Sequence, residues 1–371
     1  METRILNATS ADTRDAAVQE AGRAIAEGHL VIFPTETVYG VGASAVHRDA
    51  MDALSHLKGR TPDKPFTLHL ADPREAERYA GRLSPLARRL ISKTWPGPLT
   101  LVVPDRREGR GEPQGLVEEA LYYQGTIGLR CPDHPVGRAI LQAAGVPVAA
   151  SSANLGGRPP PRRMEEALAD LGGRVPLAVD AGPTPLARAS TVVRLNDDDS
   201  YEVLREGAIT VRRLERLART RILFICTGNL CRSPMAVGIA ARHLADRLGC
   251  QPEELAARGI EVASAGTGTM AGSPASANAV AVMAERGIDI RDHRSQPMTV
   301  DALLASDYIG VMTRSHLEAV LRMAPEVKGR AAIVDPTGQD VADPIGGDME
   351  AYRAAARHLE RAIAERLTEI L

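Results

Sequence analysis

Two stretches of this chain carry side chains whose types and spacing suit chemistry on phosphate. The first is CTGNLCRSPMA, residues 226–236. A thiol opens it, Gly228 and Asn229 follow, and Arg232 and Ser233 complete a Cys-x5-Arg-Ser string. The apolar run RILFIC leads in, and the helix-like PMAVGIAARHLADRLG leads out. A loop between a strand and a helix start aims backbone N–H groups at one point, which makes an anion site. Gly228 permits the tight backbone, and Asn229 is among the few non-glycine residues that tolerate left-handed geometry. Arg232 presents a planar fork for two phosphate oxygens. At the start of the loop, the helix end and Arg232 favour the thiolate of Cys226, which is the nucleophilic form. Ser233 can donate a hydrogen bond to that sulfur, or to the thiolate as it leaves. The competing reading is a buried structural cysteine beside a surface arginine. It leaves the full string, in a strand–loop–helix setting, unexplained.

The second stretch is more dispersed. Residues 34–40 read PTETVYG, and KGRTPDKP starts at Lys58. Lys58 and Arg60 close a helical pattern, so an extended turn after it lets both face one cavity. Such a pair of cations suits a triphosphate. SSANLGG, residues 151–157, adds hydroxyls, an amide and a glycine-rich backbone, a second set for phosphate or carboxylate. The residues alone support a polyanion site between two loops. The competing reading is a set of turn residues beside a solvated Lys–Arg pair.

The elements that must position these groups read as α/β. A helical pattern covers 16–28 and ends at Gly28, and LVIFPTETVYG is a buried strand entering a glycine-bounded loop. DAMDALSHLKGR is helical and KPFTLHLA a strand, while GTIGLRCP and VPVAASSANLGG run from strand to loop. RLNDDDSYEVLREG predicts a hairpin around an acidic turn. VRRLERLART predicts a solvated helix that closes the first part, its arginines a weaker candidate for touching tRNA. RILFIC then opens a βαβ pattern, with IEVASAGTG, DYIGVMT and AAIVDP as further strands. The boundary falls near residue 219, giving domains 1–219 and 220–371.

A chain of 371 residues accommodates two such domains, each with its own core. A net charge of -2 argues against a general nucleic-acid coat, and only 3% aromatics argues against a base-stacking surface. The N-terminus lacks the apolar run of a signal peptide, and no stretch approaches the roughly 18 apolar residues of a membrane span. No membrane partner is expected. Four cysteines form no disulfide framework, which predicts a reducing cytoplasm.

The second half resembles the low-molecular-weight protein-tyrosine-phosphatase family, which includes bacterial protein-arginine phosphatases. CTGNLCRSP, SAGT (264–267), GIDIRDHRS (287–295) and VADPIGG (341–347) match in order. The resemblance implies a Rossmann-like parallel four-stranded sheet, a phosphocysteine intermediate, a phosphoprotein substrate and no metal. It implies Cys226 as nucleophile, Arg232 as phosphate clamp, Ser233 at the sulfur and Asp343 as general acid and base. Asp335, in the earlier Asp-Pro, reads as a turn residue. The resemblance further implies that Asn229, Ser264 and His293 form a network supporting the loop around Gly228. It also makes Cys231 a second cysteine able to pair with Cys226 under oxidation, or else a packing residue. Cys250 matches no motif. Two departures pull apart. Ile345 and Gly346 stand where tyrosine-specific members carry aromatics, whereas Leu230 stands where the arginine-phosphatase branch has threonine.

The first half, about residues 10–215, resembles the YrdC-type threonylcarbamoyl-AMP synthases through PTETVYG, K-x-R, KPFTLH, IGLRCPDHP, SSAN and STVV, in that order. This implies an open twisted α/β sheet with a concave positive face. The implied reaction joins L-threonine, bicarbonate and ATP into threonylcarbamoyl-AMP and pyrophosphate, with Mg²⁺ carried by the nucleotide. The product feeds the tRNA-modification machinery. The matched positions are Lys58, Arg60, Ser152, Asn154 and Arg205 for ATP, and Thr35, His69, Arg130 and Ser190 for threonine. Glu36 and Tyr39 are expected to structure the loop. RASTVV departs from the pattern in lacking an acidic residue before Ser190. Three alternatives stand beside this bifunctional reading. The first half could be an RNA-binding module without synthase activity. The second half could be a non-catalytic phosphate-binding domain, or an arsenate reductase; the last lacks the downstream cysteines that would relay a disulfide.

Overall fold

The computed structural model describes residues 2–60, 64–107 and 115–370. Residues 61–63, inside KGRTPDKP, lie outside the described residues. The chain divides into two compact units, Met1–Ala218 and Arg219–Leu371.

Among the described residues of the first unit, eleven strands form one mixed sheet. They are β1 (Arg4–Asn7), β2 (Val31–Phe33), β3 (Gly40–Ser44), β4 (Thr67–His69), β5 (Leu99–Pro104), β6 (Tyr122–Tyr123), β7 (Thr126–Arg130), β8 (Val148–Ser152), β9 (Leu177–Asp180), β10 (Thr191–Leu195) and β11 (Tyr201–Arg205). Their order is β1-β9-β2-β3-β8-β4-β7-β5-β10-β11, with β6 beside β7. The inner strands are buried on both faces, as their alternation shows. Ile32 enters one core cluster, while its neighbours Val31 and Phe33 enter the other.

The register assembles the motifs. Gly40 pairs with Ser152, which joins PTETVYG to SSAN. His69 at the end of β4 pairs with Arg130 at the end of parallel β7. The 191–205 segment forms the expected hairpin, β10 against β11. One sequence expectation is corrected. The first helix spans Ala11–Ala26, five residues earlier than its apolar pattern suggested, because its first turn is polar and exposed. LVIFPTETVYG runs from strand β2 into its loop, as read, and β3, which the sequence reading did not assign, returns antiparallel from Gly40.

In the second unit, β12 (Thr220–Cys226), β13 (Ile260–Gly266), β14 (Tyr308–Val311) and β15 (Ala331–Ile333) form a four-stranded sheet ordered β13-β12-β14-β15, parallel throughout. Alternation along β12 sends Ile222, Phe224 and Cys226 to one face, against the helix Arg232–Leu248, and Leu223 and Ile225 to the other. Cys226 therefore ends the strand beneath the helix start that follows the loop. No described helix is long and apolar enough to cross a membrane.

One glycine fixes the position of the PTETVYG loop. In the helix Pro135–Ala144, a Cβ on Gly137 would lie 2.3 Å from the Pro34 carbonyl oxygen, inside any real contact. Gly137→Ala should gain about 1 kcal/mol of helix propensity and lose more to overpacking, about 1–3 kcal/mol. A net loss of stability is expected. Trp95, the single tryptophan, is buried in the first unit, so its fluorescence during urea unfolding reads that unit alone.

Candidate active sites

In the second unit, the residues singled out in the sequence meet around one sulfur. Cys226 is buried, and its Sγ lies 2.9 Å from the Ser233 hydroxyl. The Asn229 backbone N–H donates to the same sulfur at 3.2 Å. Asn229 holds a left-handed φ of 53° and is fully buried. Its side-chain amide donates to Ser233 at 2.8 Å and to Ser264 at 2.9 Å, and its Oδ1 accepts from the Gln296 N–H at 2.8 Å. His293 Nε2 donates to the Asn229 carbonyl at 2.7 Å. Burial holds the His293 pKa below its ordinary value. Gly266 completes the fit, since a Cβ there would lie 2.5 Å from the Thr227 carbonyl oxygen.

Arg232 starts the helix over this loop and is 4% exposed. It donates to the Val341 carbonyl at 3.1 Å and to Asp343 Oδ2 at 2.5 Å. The two side chains thus pair across the site. Gly228 lies in the loop with nothing but Leu230 near the position of a Cβ. The Cys231 thiol contacts Ser276 at 3.3 Å and the Tyr352 hydroxyl at 3.5 Å. Asp335 is more than a turn residue. It accepts from Thr337 and pairs at 2.6 Å with His358 on the last helix, largely buried.

In the first unit, Thr35, Arg60, His69, Arg130, Ser152, Ser190 and Arg205 line one cavity of about 250 Å³. Three guanidinium groups converge there. Burial lowers the pKa of Arg60, helped by Arg205, and that of Arg205, helped by Arg130. Each cation is held by neutral or acidic acceptors. Arg60 donates to the Lys64 and Pro65 carbonyls and to Ser151. Arg205 donates to the Ser190 carbonyl, and Arg130 pairs at 2.8 Å with buried Glu36. His69 Nδ1 donates to the Thr67 carbonyl at 3.2 Å, which leaves Nε2 unprotonated. Burial, then the Arg130 charge, pushes its pKa down to about 3.

Lys58 and Asn154 stand behind this cavity, not on its wall. Lys58 Nζ donates to the Ser152 carbonyl at 2.8 Å and to that of Asn154, so it bridges the SSAN turn. Burial, and then Arg60, lowers its pKa to about 8. The Asn154 amide donates to Leu155 and Arg158 carbonyls, and its buried Oδ1 has no partner among the described residues. Thr35 spends its hydroxyl within its own turn, donating to the Val38 carbonyl at 2.6 Å.

Sequence reasoning missed four contributors. Thr100 bonds Ser190 at 3.0 Å. Val341 offers only a carbonyl. Glu36, read as a loop residue, is also the counterion of Arg130. Thr227, inside the loop motif, bonds His316 at 2.9 Å. The pattern of buried polar residues in otherwise apolar strand ends was the available signal for Thr100 and Glu36; His316 lies in no motif.

Known proteins divide along the same line. Residues 23–207 match the Sua5/YciO/YrdC family, described as "Telomere recombination", and 221–371 match "Low molecular weight phosphotyrosine protein phosphatase". A threonylcarbamoyl-AMP synthase of Bacillus subtilis is 38% identical over 55% of this chain and 57% of its own length, so the chain spans under three fifths of that relative. A putative threonylcarbamoyl-AMP synthase of Mycobacterium tuberculosis is 36% identical over 57% of this chain and 94% of its own. A protein-arginine-phosphatase of Geobacillus stearothermophilus is 38% identical over 41% of this chain and 95% of its own. The crystal structure of P. abyssi Sua5 complexed with L-threonine shares the fold, with a TM-score of 0.53 at 21% identity and 98% of each chain covered.

Asn229→Ala should remove three hydrogen bonds and leave the Gln296 N–H unsatisfied. A loss of about 2–4 kcal/mol is expected for the second unit. Urea unfolding by far-UV circular dichroism should show the loss, with the Trp95 fluorescence transition unmoved.

Proposed function

The chain belongs to the Sua5/YciO/YrdC family through its first unit and to the low-molecular-weight phosphotyrosine protein phosphatase family through its second, and on that premise we propose that it carries two separate activities on phosphorus. The first unit forms threonylcarbamoyl-AMP from L-threonine, bicarbonate and ATP. The observation that carries this reading is the convergence of Arg60, Arg130 and Arg205 with a neutral His69 on one cavity. The threonine nitrogen is first carboxylated. An oxygen of that carbamate attacks the α-phosphate, and pyrophosphate leaves. Arg60 and Arg205 face the phosphate charge that grows on the leaving group. Arg130, braced by Glu36, clamps the threonine carboxylate. His69 Nε2 accepts a hydrogen bond from the amino acid. Lys58 braces the SSAN turn that meets the phosphates. Arginines and hydroxyls on this wall suit a polyphosphate, not a bare cation. Mg²⁺ would arrive on the nucleotide, where it offsets phosphate charge.

The second unit is a phosphatase that works through phosphocysteine. Its carrying observation is the Cys226 sulfur held by Ser233 and Asn229 opposite the Arg232–Asp343 pair. A phosphoryl dianion takes Arg232 from Asp343. The freed Asp343 carboxylate takes up a proton from water, and Cys226 Sγ then bonds to phosphorus as the leaving group departs with that proton. Asp343 next takes a proton from water, whose oxygen attacks the phosphocysteine, and the thiolate departs onto Ser233 and the Asn229 N–H. We assign phosphoarginine in proteins as the substrate. The only aromatic residues from 219 onward are Phe224, Tyr308 and Tyr352, and all three are buried. Nothing on the rim can stack on a phenyl ring, and an exposed Ile345 follows Asp343-Pro344.

Matched phosphoarginine and phosphotyrosine peptides, with Cys226→Ser as the blank, test the assignment. Faster phosphate release from phosphoarginine is expected; a phosphotyrosine preference, set by the apolar Leu230, would overturn it. Threonine- and bicarbonate-dependent pyrophosphate release from ATP should disappear in Lys58→Ala while the phosphatase persists. Retained release would remove Lys58 from the reaction, and no release from the native chain would support an RNA-binding module.

The Lys58 pKa gives a pH signature. Bound polyphosphate favours the ammonium form, so ATP binding should draw in a proton once the free amine has lost one. Apparent ATP affinity should be flat below pH 8 and weaken above it, by up to about tenfold per pH unit. Calorimetric titration in buffers of different ionisation enthalpy reads both the affinity and the proton. Lys58→Arg, charged throughout, should flatten the profile.

A further inference from the structure

His316 takes no part in the reaction described, yet it is 5% exposed and lies within reach of the charges at its centre. It is the third residue of the helix Arg314–Met323, whose N-cap is Thr313. Its Nδ1 lies 2.7 Å from the Thr313 hydroxyl and its Nε2 lies 2.9 Å from the Thr227 hydroxyl. Burial, then the positive Arg232, holds its pKa below the ordinary value, against the smaller opposite pull of Asp343 and Asp340. A neutral imidazole has one donor and one acceptor, and both are used here. Thr227 is the residue after the nucleophile. Its carbonyl accepts from the Gly268 N–H at 3.1 Å, so its backbone is held on the β13 side and its side chain on the β14 side.

We infer that His316 is a positioning residue of the phosphatase site, holding Thr227, and so the start of the phosphate loop beside Cys226, through the hydrogen-bond chain Thr227–His316–Thr313. The inference rests on the phosphatase reading. The ring bridges the loop after β12 and the helix after β14, and a small shift of a reacting sulfur costs far more rate than stability.

Two substitutions separate the ends of the chain. The amide of His316→Asn reaches Thr313 but not Thr227. That of His316→Gln reaches the place of Nε2, and so Thr227. In the full chain, His316→Asn and Thr227→Val should each lower kcat/KM for a phosphopeptide by about tenfold to a hundredfold, chiefly in kcat, and His316→Gln by less than about threefold. The double variant His316→Asn with Thr227→Val should be no worse than either single one. Far-UV unfolding curves should remain near native. Native rates in His316→Asn, equal losses in the Asn and Gln variants, losses that multiply in the double variant, or losses that follow falling stability would each overturn the inference. Calorimetric affinity for inorganic phosphate, expected to fall in the same order, separates the two levels. A native chain that binds phosphate but hydrolyses no phosphopeptide refutes the phosphatase reading and leaves His316 to be judged on that order.

Discussion

Buried positive charge is the constraint on which both sites depend. A cation taken from water must find acceptors at once, or it destabilises the fold. In the proposed reading each site binds an anion, and its cations lack that partner until substrate arrives. The chain supplies stand-ins. Arg232 rests on Asp343 and the Val341 carbonyl, Arg130 on Glu36, Arg205 on the Ser190 carbonyl, and Lys58 on carbonyls of the SSAN turn. These contacts set the course of the local backbone. The loop ahead of the last helix must bring Asp343 over Arg232, and PTETVYG must turn so that Glu36 reaches β7. Much of what resembles loop architecture is charge compensation.

The sheets supply what compensation cannot, namely a fixed place for each group. Parallel β12 ends with Cys226 on the face covered by the next helix, because side chains alternate along a strand. The backbone then turns through the left-handed Asn229, and every polar atom of that side chain is used to hold the turn. In the first unit, register alone puts His69 beside Arg130 and Gly40 beside Ser152. Loops carry the chemistry, while paired strand ends decide where the loops begin.

What could be read in the sequence was whatever is local. CTGNLCRSP places a thiol, a turn and an arginine within a few residues, and the α/β class follows from strand and helix patterns around it. The contribution of Ser264 and His293 came from resemblance to a family, since nothing near either residue announces it. Long-range partners were silent. His316 lies 89 residues from Thr227, and Glu36 lies 94 from Arg130. A hydrogen bond between distant residues leaves no periodicity in the chain. β5, a buried strand between β7 and β10, also escaped, although without it Ser190 would have no Thr100. The direction of Lys58 was illegible for another reason: spacing places a side chain near a cavity, but only the acceptors around it decide whether it lines the wall or braces it.

The carboxylate resting on Arg232 also acts as a resident competitor. Any visitor to the second site must displace a negative group already attached to the protein, whose effective concentration no free solute can match. A singly charged carboxylate or halide replaces like with like and gains little. A phosphoryl group brings a second charge and more oxygens, enough for the fork of Arg232 and for the loop N–H groups together. Under the proposed function, the site therefore screens by valence before it screens by shape.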